Sequence, residues 1–228
     1  MTEKELHALL SENPVFACLN GPERQGLVEL ASPRSFRKGE TIACSGERWP
    51  YLLWILEGRV DAVKESAEGR RLLVSSFGAG EVFWGLTFFA EEADMPVTLE
   101  SPGPCRLLLW PRTRILPVIR AHGELGWELC RLMSARMMRA SAILEEMAFQ
   151  PVAGRLAGFL MSLPPEQDGA IARSFTLDEI AARVGSTREV VCRFLQRFAD
   201  QDMIEVRRTE FVITDRAKMG ELARQVKG

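Results

Sequence analysis

The chain has only two histidines, one tyrosine and five cysteines among its 228 residues. His7 and His122 give no pairing with a serine or cysteine nucleophile, and there is no zinc spacing, P-loop or dinucleotide fingerprint. An enzyme is therefore not expected. The cysteines are odd in number and share no short spacing, which argues against a disulfide framework and for a reducing compartment. Long apolar runs are missing too: the longest, such as 107–111, are far too short to span a bilayer. Residues 1–20 carry Glu3, Glu5 and Glu12 and lack the basic start and apolar core of a signal peptide. The expected location is the cytoplasm, with no membrane partner. Net charge is scarce as well, −2 with an isoelectric point near 5.9, which excludes strong indiscriminate affinity for polyanions. Residues 151–228 hold 12 Lys/Arg against 11 Asp/Glu, while residues 1–150 hold 17 against 20. No internal repeat or low-complexity segment is evident.

What is present is length and apolar content, 46% hydrophobic, enough to fill two cores. Lys4–Leu10 and Pro22–Ala31 place leucine at helical intervals. From Ser32 to Trp110 the texture changes to short β-rich runs at 51–57, 59–64, 71–77, 96–100 and 106–110, punctuated by glycines. Many short strands with regular turn signals predict a compact barrel or jelly roll. Gly58, between two alternating segments, reads as a hairpin turn.

Residues 112–120 predict a short helix ended by Gly123, and 125–149 the longest helix of the chain. Along it Cys130, Met133, Met137, Ala140, Leu144 and Met147 alternate steps of three and four, a coiled-coil seam for a second copy of the chain. Leu125, Leu129 and Leu132 form another stripe, suited to packing on the barrel. Gln150-Pro151 ends the helix and marks a domain boundary. A helix over 152–163 and a polar loop over 164–169 follow.

Thr176–Arg197 reads as two helices joined by a tight turn. Thr176 with Glu179, and Ser186 with Glu189, have the spacing of capping boxes, and Gly185 supplies the positive φ that closes the first helix. Leu177, Ile180, Ala181 and Val184, then Val191, Phe194, Leu195 and Phe198, form the buried stripes. Arg188, Glu189, Cys192, Arg193 and Gln196 are left on the outer face of the second helix, where Arg can fork onto guanine and a carboxylate can accept from cytosine. The plainer alternative makes Glu189 and Arg193 a surface ion pair. Residues 203–206 and 211–214 alternate like paired strands around a basic tip, a wing whose Arg207 and Arg208 can meet phosphates.

In this order, the turns Lys38-Gly39-Glu40 and Ser45-Gly46-Glu47, then Leu56-Glu57-Gly58, Gly80-Glu81-Val82-Phe83, the long helix, Gly154-Arg155-Leu156-Ala157 and Thr176–Arg197 resemble the CRP/FNR family of bacterial transcription regulators over essentially the whole chain. The resemblance implies an α+β architecture. A cyclic-nucleotide-binding-type β-barrel with N-terminal helices (1–123) senses a signal, a long helix (124–150) dimerises, and a winged helix-turn-helix (151–228) binds a palindromic promoter site. Partners are then double-stranded DNA, a second copy of the chain and, for an activator, RNA polymerase. Arg188, Glu189 and Arg193 match the base-reading positions of the cAMP-receptor branch, implying TGTGA-like half-sites. Thr176, Ser186, Thr187, Arg197, Arg207 and Arg208 complete the expected DNA-binding set.

The effector side departs from that branch. Trp84-Gly85 and Met95-Pro96 stand where cAMP-binding members carry the Gly-Glu for the ribose and the Arg-hydroxyl pair for the phosphate. Residues 72–105 contain no Lys, Arg or His, although a buried phosphate needs a positive partner or converging N–H groups. cAMP is not the expected effector. The aromatic run Phe83–Phe89 is first of all barrel core. Its second reading is a pocket for an apolar ligand, with Phe83, Trp84, Gly85, Leu86, Met95, Pro96, Met137, Ala140 and Ser141 lining it. Haem is one such ligand, with His7 and His122 as axial candidates; no other metal site is expected. An iron–sulfur cluster needs grouped N-terminal cysteines, and only Cys18 lies there. Redox sensing by Cys130 or Cys192, a signal-independent regulator, and a winged helix that binds protein instead of DNA are the remaining alternatives.

Overall fold

Helices and strands come in separate blocks, giving an α+β fold in a computed structural model that describes residues 3–165, 170–172 and 175–225. Part of the expected 164–169 loop lies outside the described residues. Contacts divide the chain into two units, Met1–Lys64 with Val74–Met138, and Glu65–Leu73 with Arg139–Gly228. In order, the first block is α1 (Glu3–Glu12), α2 (Gly21–Leu30), β1 (Ser32–Phe36), β2 (Thr41–Ala43), β3 (Tyr51–Glu57), β4 (Arg59–Glu65), β5 (Arg71–Gly78), β6 (Val82–Trp84), β7 (Thr98–Glu100), β8 (Cys105–Pro111) and α3 (Arg112–Ala121). The long helix α4 (Gly123–Phe149) follows. The last block is α5 (Val152–Ser162), β9 (Ala170–Ala172), α6 (Leu177–Val184), α7 (Arg188–Asp200), β10 (Ile204–Val206), β11 (Glu210–Ile213) and α8 (Arg216–Ala223).

The barrel strands form two four-stranded sheets, ordered β1-β8-β3-β6 and β2-β7-β4-β5. Strands β3 and β8 pair antiparallel, with Leu53 opposite Leu109 and Trp54 opposite Leu108. Side chains of a strand alternate faces, so these two strands feed two separate cores. Leu52, Trp54, Leu108 and Trp110 join one with Leu10, Phe16, Leu27, Ile115, Leu125 and Leu129 from the helices. Leu53, Ile55 and Leu107 join the other, inside the barrel, with Phe77, Met95 and Leu99. Trp110, fully buried, still finds a partner: its indole N–H donates to the Leu27 carbonyl at 2.8 Å. That bond fixes α2 to the sheet.

Gly58 is not a hairpin turn. It joins β3 to β4, which belong to different sheets, so the chain crosses here from one layer to the other. The barrel hairpin lies instead between β4 and β5, closed by Ser66 N–H to Arg70 O at 2.9 Å. Strands β1, β2 and β6 are not among those the sequence predicts. Each is three to five residues long, and β1 carries Pro33, which is tolerated at a sheet edge.

In the second unit, Leu156, Ala157, Leu160, Ile180, Val184, Val191, Leu195, Phe198, Phe211 and Met219 form one buried core under α5–α8. Among the described residues the wing is three-stranded, β10-β11-β9, because 170–172 adds a short edge strand. No helix among the described residues is long and apolar enough to cross a membrane.

Candidate nucleic-acid interface

The helix-turn-helix is built by its caps. Thr176 Oγ1 accepts from the Glu179 amide, and the Glu179 carboxylate accepts from the Thr176 amide, a complete capping box at the start of α6. Gly185 ends that helix in the left-handed region at φ 61, where its amide and that of Ser186 both reach the Ala181 carbonyl. The second cap differs from expectation. Ser186 gives its amide to the Ala181 carbonyl, and Thr187 is the extended N-cap of α7, its hydroxyl accepting from the Val190 amide. Ser186 and Glu189 form no box.

Helix α7 then buries Val191, Leu195 and Phe198 and exposes Arg188, Glu189, Cys192, Arg193, Gln196 and Arg197. Among the described residues Glu189, Arg193 and Arg197 make no side-chain hydrogen bond or ion pair. The Glu189–Arg193 surface pair does not form, so both groups face outward with hydrogen-bonding capacity unspent. Arg188 is different: its guanidinium lies 3.4 Å from the Asp178 carboxylate of α6. Sequence spacing gives no hint of that pair, because the two residues are brought together by the turn.

The wing strands β10 and β11 pair antiparallel, as expected. Arg207 forks between Glu205 at 2.9 Å and Glu210 at 2.6 Å. The carboxylates raise the Arg207 pKa, and Arg207 holds Glu205 below the usual carboxylate range. Arg207 thus carries two carboxylate partners, and Arg208 follows it at the tip.

Beneath the turn sits Arg155, which the motif Gly154-Arg155-Leu156-Ala157 includes without a role. Its Nε–H donates to the Val184 carbonyl at 2.9 Å and an Nη1–H to the Gln150 carbonyl at 2.6 Å. One side chain thus ties the end of α4 to the last turn of α6. Burial lowers its pKa, and Glu146 opposes that shift. Met147 packs here as well. A Cβ on Gly185 would come within 2.9 Å of its Cε, so Met147 is half-buried against the turn and does not lie open on the seam. The substitution Arg155→Met should cost about 2 kcal/mol, since two carbonyls lose a charged donor. Thermal unfolding of the full chain, with Arg155→Lys as the conservative control, measures it.

On α4, Leu125 and Leu129 are buried and Leu132 is half-buried against the helix–sheet core, as the second stripe predicts. The opposite side carries a row of exposed apolar groups: Trp127 is 70% exposed, Met137 68% and Leu144 69%. With Cys130, Ser134 and Ser141 between them, this row keeps steps of three and four. Met133 is less exposed and Ala140 lies at its margin, so the open row sits to one side of the expected seam. Trp127 extends the row one turn before Cys130, at a spacing that the sequence itself displays.

Within the first unit, the expected effector residues face different ways. Strand β6 turns Phe83 toward Phe77, 4.8 Å between ring centroids, and sends Trp84 into the helix–sheet core with Phe88. Leu86 and Phe89 are exposed. Met95, 2% exposed, fills the barrel interior; a Cβ on Gly85 would lie 2.7 Å from its sulfur. Pro96, Ala140 and Ser141 are exposed. A group the local sequence does not supply comes from α4. The Arg136 guanidinium lies 5.0 Å from the Phe77 ring, 5.4 Å from Phe83 and 4.8 Å from Trp84, and it donates to the Val82 carbonyl. It is the cation that residues 72–105 lack, held by three aromatic faces. His7 Nε2 lies 3.1 Å from the Gly21 carbonyl and His122 Nε2 3.5 Å from Glu23. No cluster of three metal-ligating side chains occurs among the described residues. A surface groove of about 510 Å³ is lined by Glu5, Ala8, Leu9, Glu57 and Arg106, none of them an expected site residue.

Two family models match the chain: a cyclic nucleotide-binding domain over residues 33–122 and a Crp-like helix-turn-helix domain over residues 154–222. A CRP-like cAMP-activated global transcriptional regulator of Mycobacterium tuberculosis is 25% identical over 222 residues, covering 95% of this chain and 99% of the relative. A transcriptional regulator of the crp/fnr family from Eubacterium rectale superposes with a TM-score of 0.75 at 20% identity, covering 93% of this chain and 98% of its own. The c-di-GMP responsive global regulator CLP of Xanthomonas campestris gives 0.73 at 19% identity, covering 85% and 99%.

Proposed function

Because the chain belongs to the CRP/FNR family of transcription regulators, we propose that it acts as a homodimer that binds a palindromic DNA site through α7 and answers to a signal other than cAMP. It is a helix-turn-helix regulator and not an enzyme. The observation that carries the DNA reading is the outer face of α7, where Glu189, Arg193 and Arg197 stand exposed on a helix whose other side is fully packed. Arg188, Glu189 and Arg193 read base edges of TGTGA-like half-sites, and Arg197 and Arg208 meet phosphates. Residues 1–123 sense, 124–150 dimerise and 151–228 bind DNA. The exposed apolar row on α4 supports the dimer, since two copies of it bury what one leaves in water.

The Trp84-Gly85 and Met95-Pro96 pairs support an effector other than cAMP, and Arg136 already spends its charge on three rings and a carbonyl. Both histidines are engaged with Gly21 and Glu23, which favours a ligand other than haem. A signal biases two arrangements of the dimer, and the segment 149–152 is where the DNA heads turn until the recognition helices stand about 34 Å apart. The packing of Met95 inside the barrel favours one second reading, a regulator that binds DNA without any ligand. Protein freed of small molecules by denaturation and refolding, and already nanomolar for its site, would support that reading.

Arg188→Ala tests base reading. It should lose roughly 1–3 kcal/mol of specific binding and relax preference at one base position. A quantitative gel shift against single-base variants decides: equal weakening on every variant would remove the base-reading role.

A further inference from the structure

Arg136 continues the barrel-facing stripe of α4 at a place where another leucine would be expected. Leu125, Leu129 and Leu132 pack on the helix–sheet core at steps of four and three, and the next step of four reaches Arg136. Its guanidinium is received by a cage. Strand β6 is an edge of its sheet, and Phe83 and Trp84 leave it on opposite faces. Arg136 lies across that edge, 4.8 to 5.4 Å from these two rings and Phe77, with the Val82 carbonyl as acceptor. The walls do not depend on the arginine. Phe77 is buried in the barrel interior and Trp84 in the helix–sheet core, so both rings are held from behind. Arg136 itself is only half-buried, so the site it fills borders water.

We propose that this cage is the effector site, that its ligand carries a guanidinium group, and that Arg136 fills it as a tethered stand-in until the ligand displaces it. This rests on the reading of residues 1–123 as a sensor and gives its signal a chemical class. Ring faces are negative, so three of them select a cation and reject a phosphate. The Val82 carbonyl adds an acceptor that a guanidinium N–H can use. Residues 72–105, which supply the three rings, carry five Asp/Glu and no Lys, Arg or His, so the local charge favours the same sign. Exchange also gives the signal a route. Arg136 ends the stripe just before the first unit closes at Met138, and α4 continues from Arg139 in the second. With Arg136 displaced, Leu125, Leu129 and Leu132 alone hold the helix to its core. The ligand then favours that looser arrangement by the difference in its affinity for the two.

The probe is ethylguanidinium, which replaces the atoms that Arg136→Ala removes, and ethylurea is its uncharged counterpart. Isothermal titration of the full chain should show saturable ethylguanidinium binding to wild type. Binding to Arg136→Ala should be at least about 10-fold tighter, because the tethered arginine no longer lowers the fraction of open cage. Ethylurea should bind that variant at least about 10-fold more weakly than ethylguanidinium. Arg136→Gln, polar but uncharged, should gain in the same direction, which keeps the test decisive where the alanine variant does not fold. At saturating ethylguanidinium, with ionic strength matched by sodium chloride, wild-type affinity for a palindromic TGTGA-type duplex should move to that of Arg136→Ala. The variant's own DNA affinity should not move. No saturable binding to wild type, equal affinity of wild type and both variants, equal binding of ethylurea, or a wild-type DNA affinity that the probe leaves unchanged would each overturn the proposal. A wild type that prefers no DNA sequence would instead overturn the DNA reading, and the titrations would still decide the cage.

Discussion

A chain carrying Met137→Glu and Leu144→Glu should be monomeric and should lose at least about 100-fold in affinity for a palindromic duplex. The physical reason lies in the two faces of α4. Leu125 and Leu129 hold it to the helix–sheet core, so its fold does not depend on the other side. Trp127, Met137 and Leu144 on that other side are exposed in the single chain, at helical steps that put them in one row. Two carboxylates in that row would be buried facing their own symmetry mates, which costs several kcal/mol per unpaired charge. Association is lost before folding is. A dimer places its second recognition helix at the second half-site at high effective concentration, and a monomer has no such gain. Light scattering should report one chain per particle, circular dichroism should be unchanged, and affinity for a lone half-site should match wild type. A dimer that survives both substitutions would move the interface off this face.

Gly58→Ala should destabilise the barrel by about 2–4 kcal/mol, combining left-handed strain with overpacking. Gly58 lies at φ 83, in the region where a side chain is strained. Space is also missing: a Cβ there would run into the Pro104 carbonyl oxygen and stand 2.8 Å from the Cys105 Cα, both backbone atoms at the start of β8. They can move away only by shifting a strand that pairs with both β1 and β3. The midpoint of the barrel's thermal transition should fall on the order of 10 °C. Gly39 at φ 82, with nothing within 4 Å of its added Cβ, is the matched control for strain alone and should lose less than half as much. Equal losses at the two glycines would remove the packing argument.

That corner shows where sequence reasoning stops. The alternation of β3 and the glycine after it are legible, but a turn within a sheet and a crossing between sheets carry the same local signal. Only the pairing of β3 with β8, some fifty residues away, separates them. The helix-turn-helix is legible because its signals are local: a capping box, a glycine and two apolar stripes within 25 residues. The difference at Ser186 is also local, a single-residue slip caused by the second amide that the Ala181 carbonyl accepts.

Charge pairing is the least legible part of the site. Asp178–Arg188, Arg207 with Glu205 and Glu210, and Arg136 over three rings depend on side-chain reach and on tertiary neighbours. Composition counts the charges without saying which are spent. The absence of a cation in residues 72–105 is accurate for that stretch, yet α4 lays one across it.

Dimeric, sequence-specific DNA reading is tested most directly by selecting bound duplexes from a random pool with the wild-type protein at physiological salt. Inverted repeats with TGTGA-like halves centred about 10–11 base pairs apart should be enriched, in line with two recognition helices one turn apart. Recovery of a pool indistinguishable from the input, with binding that salt removes equally from every sequence, would contradict it.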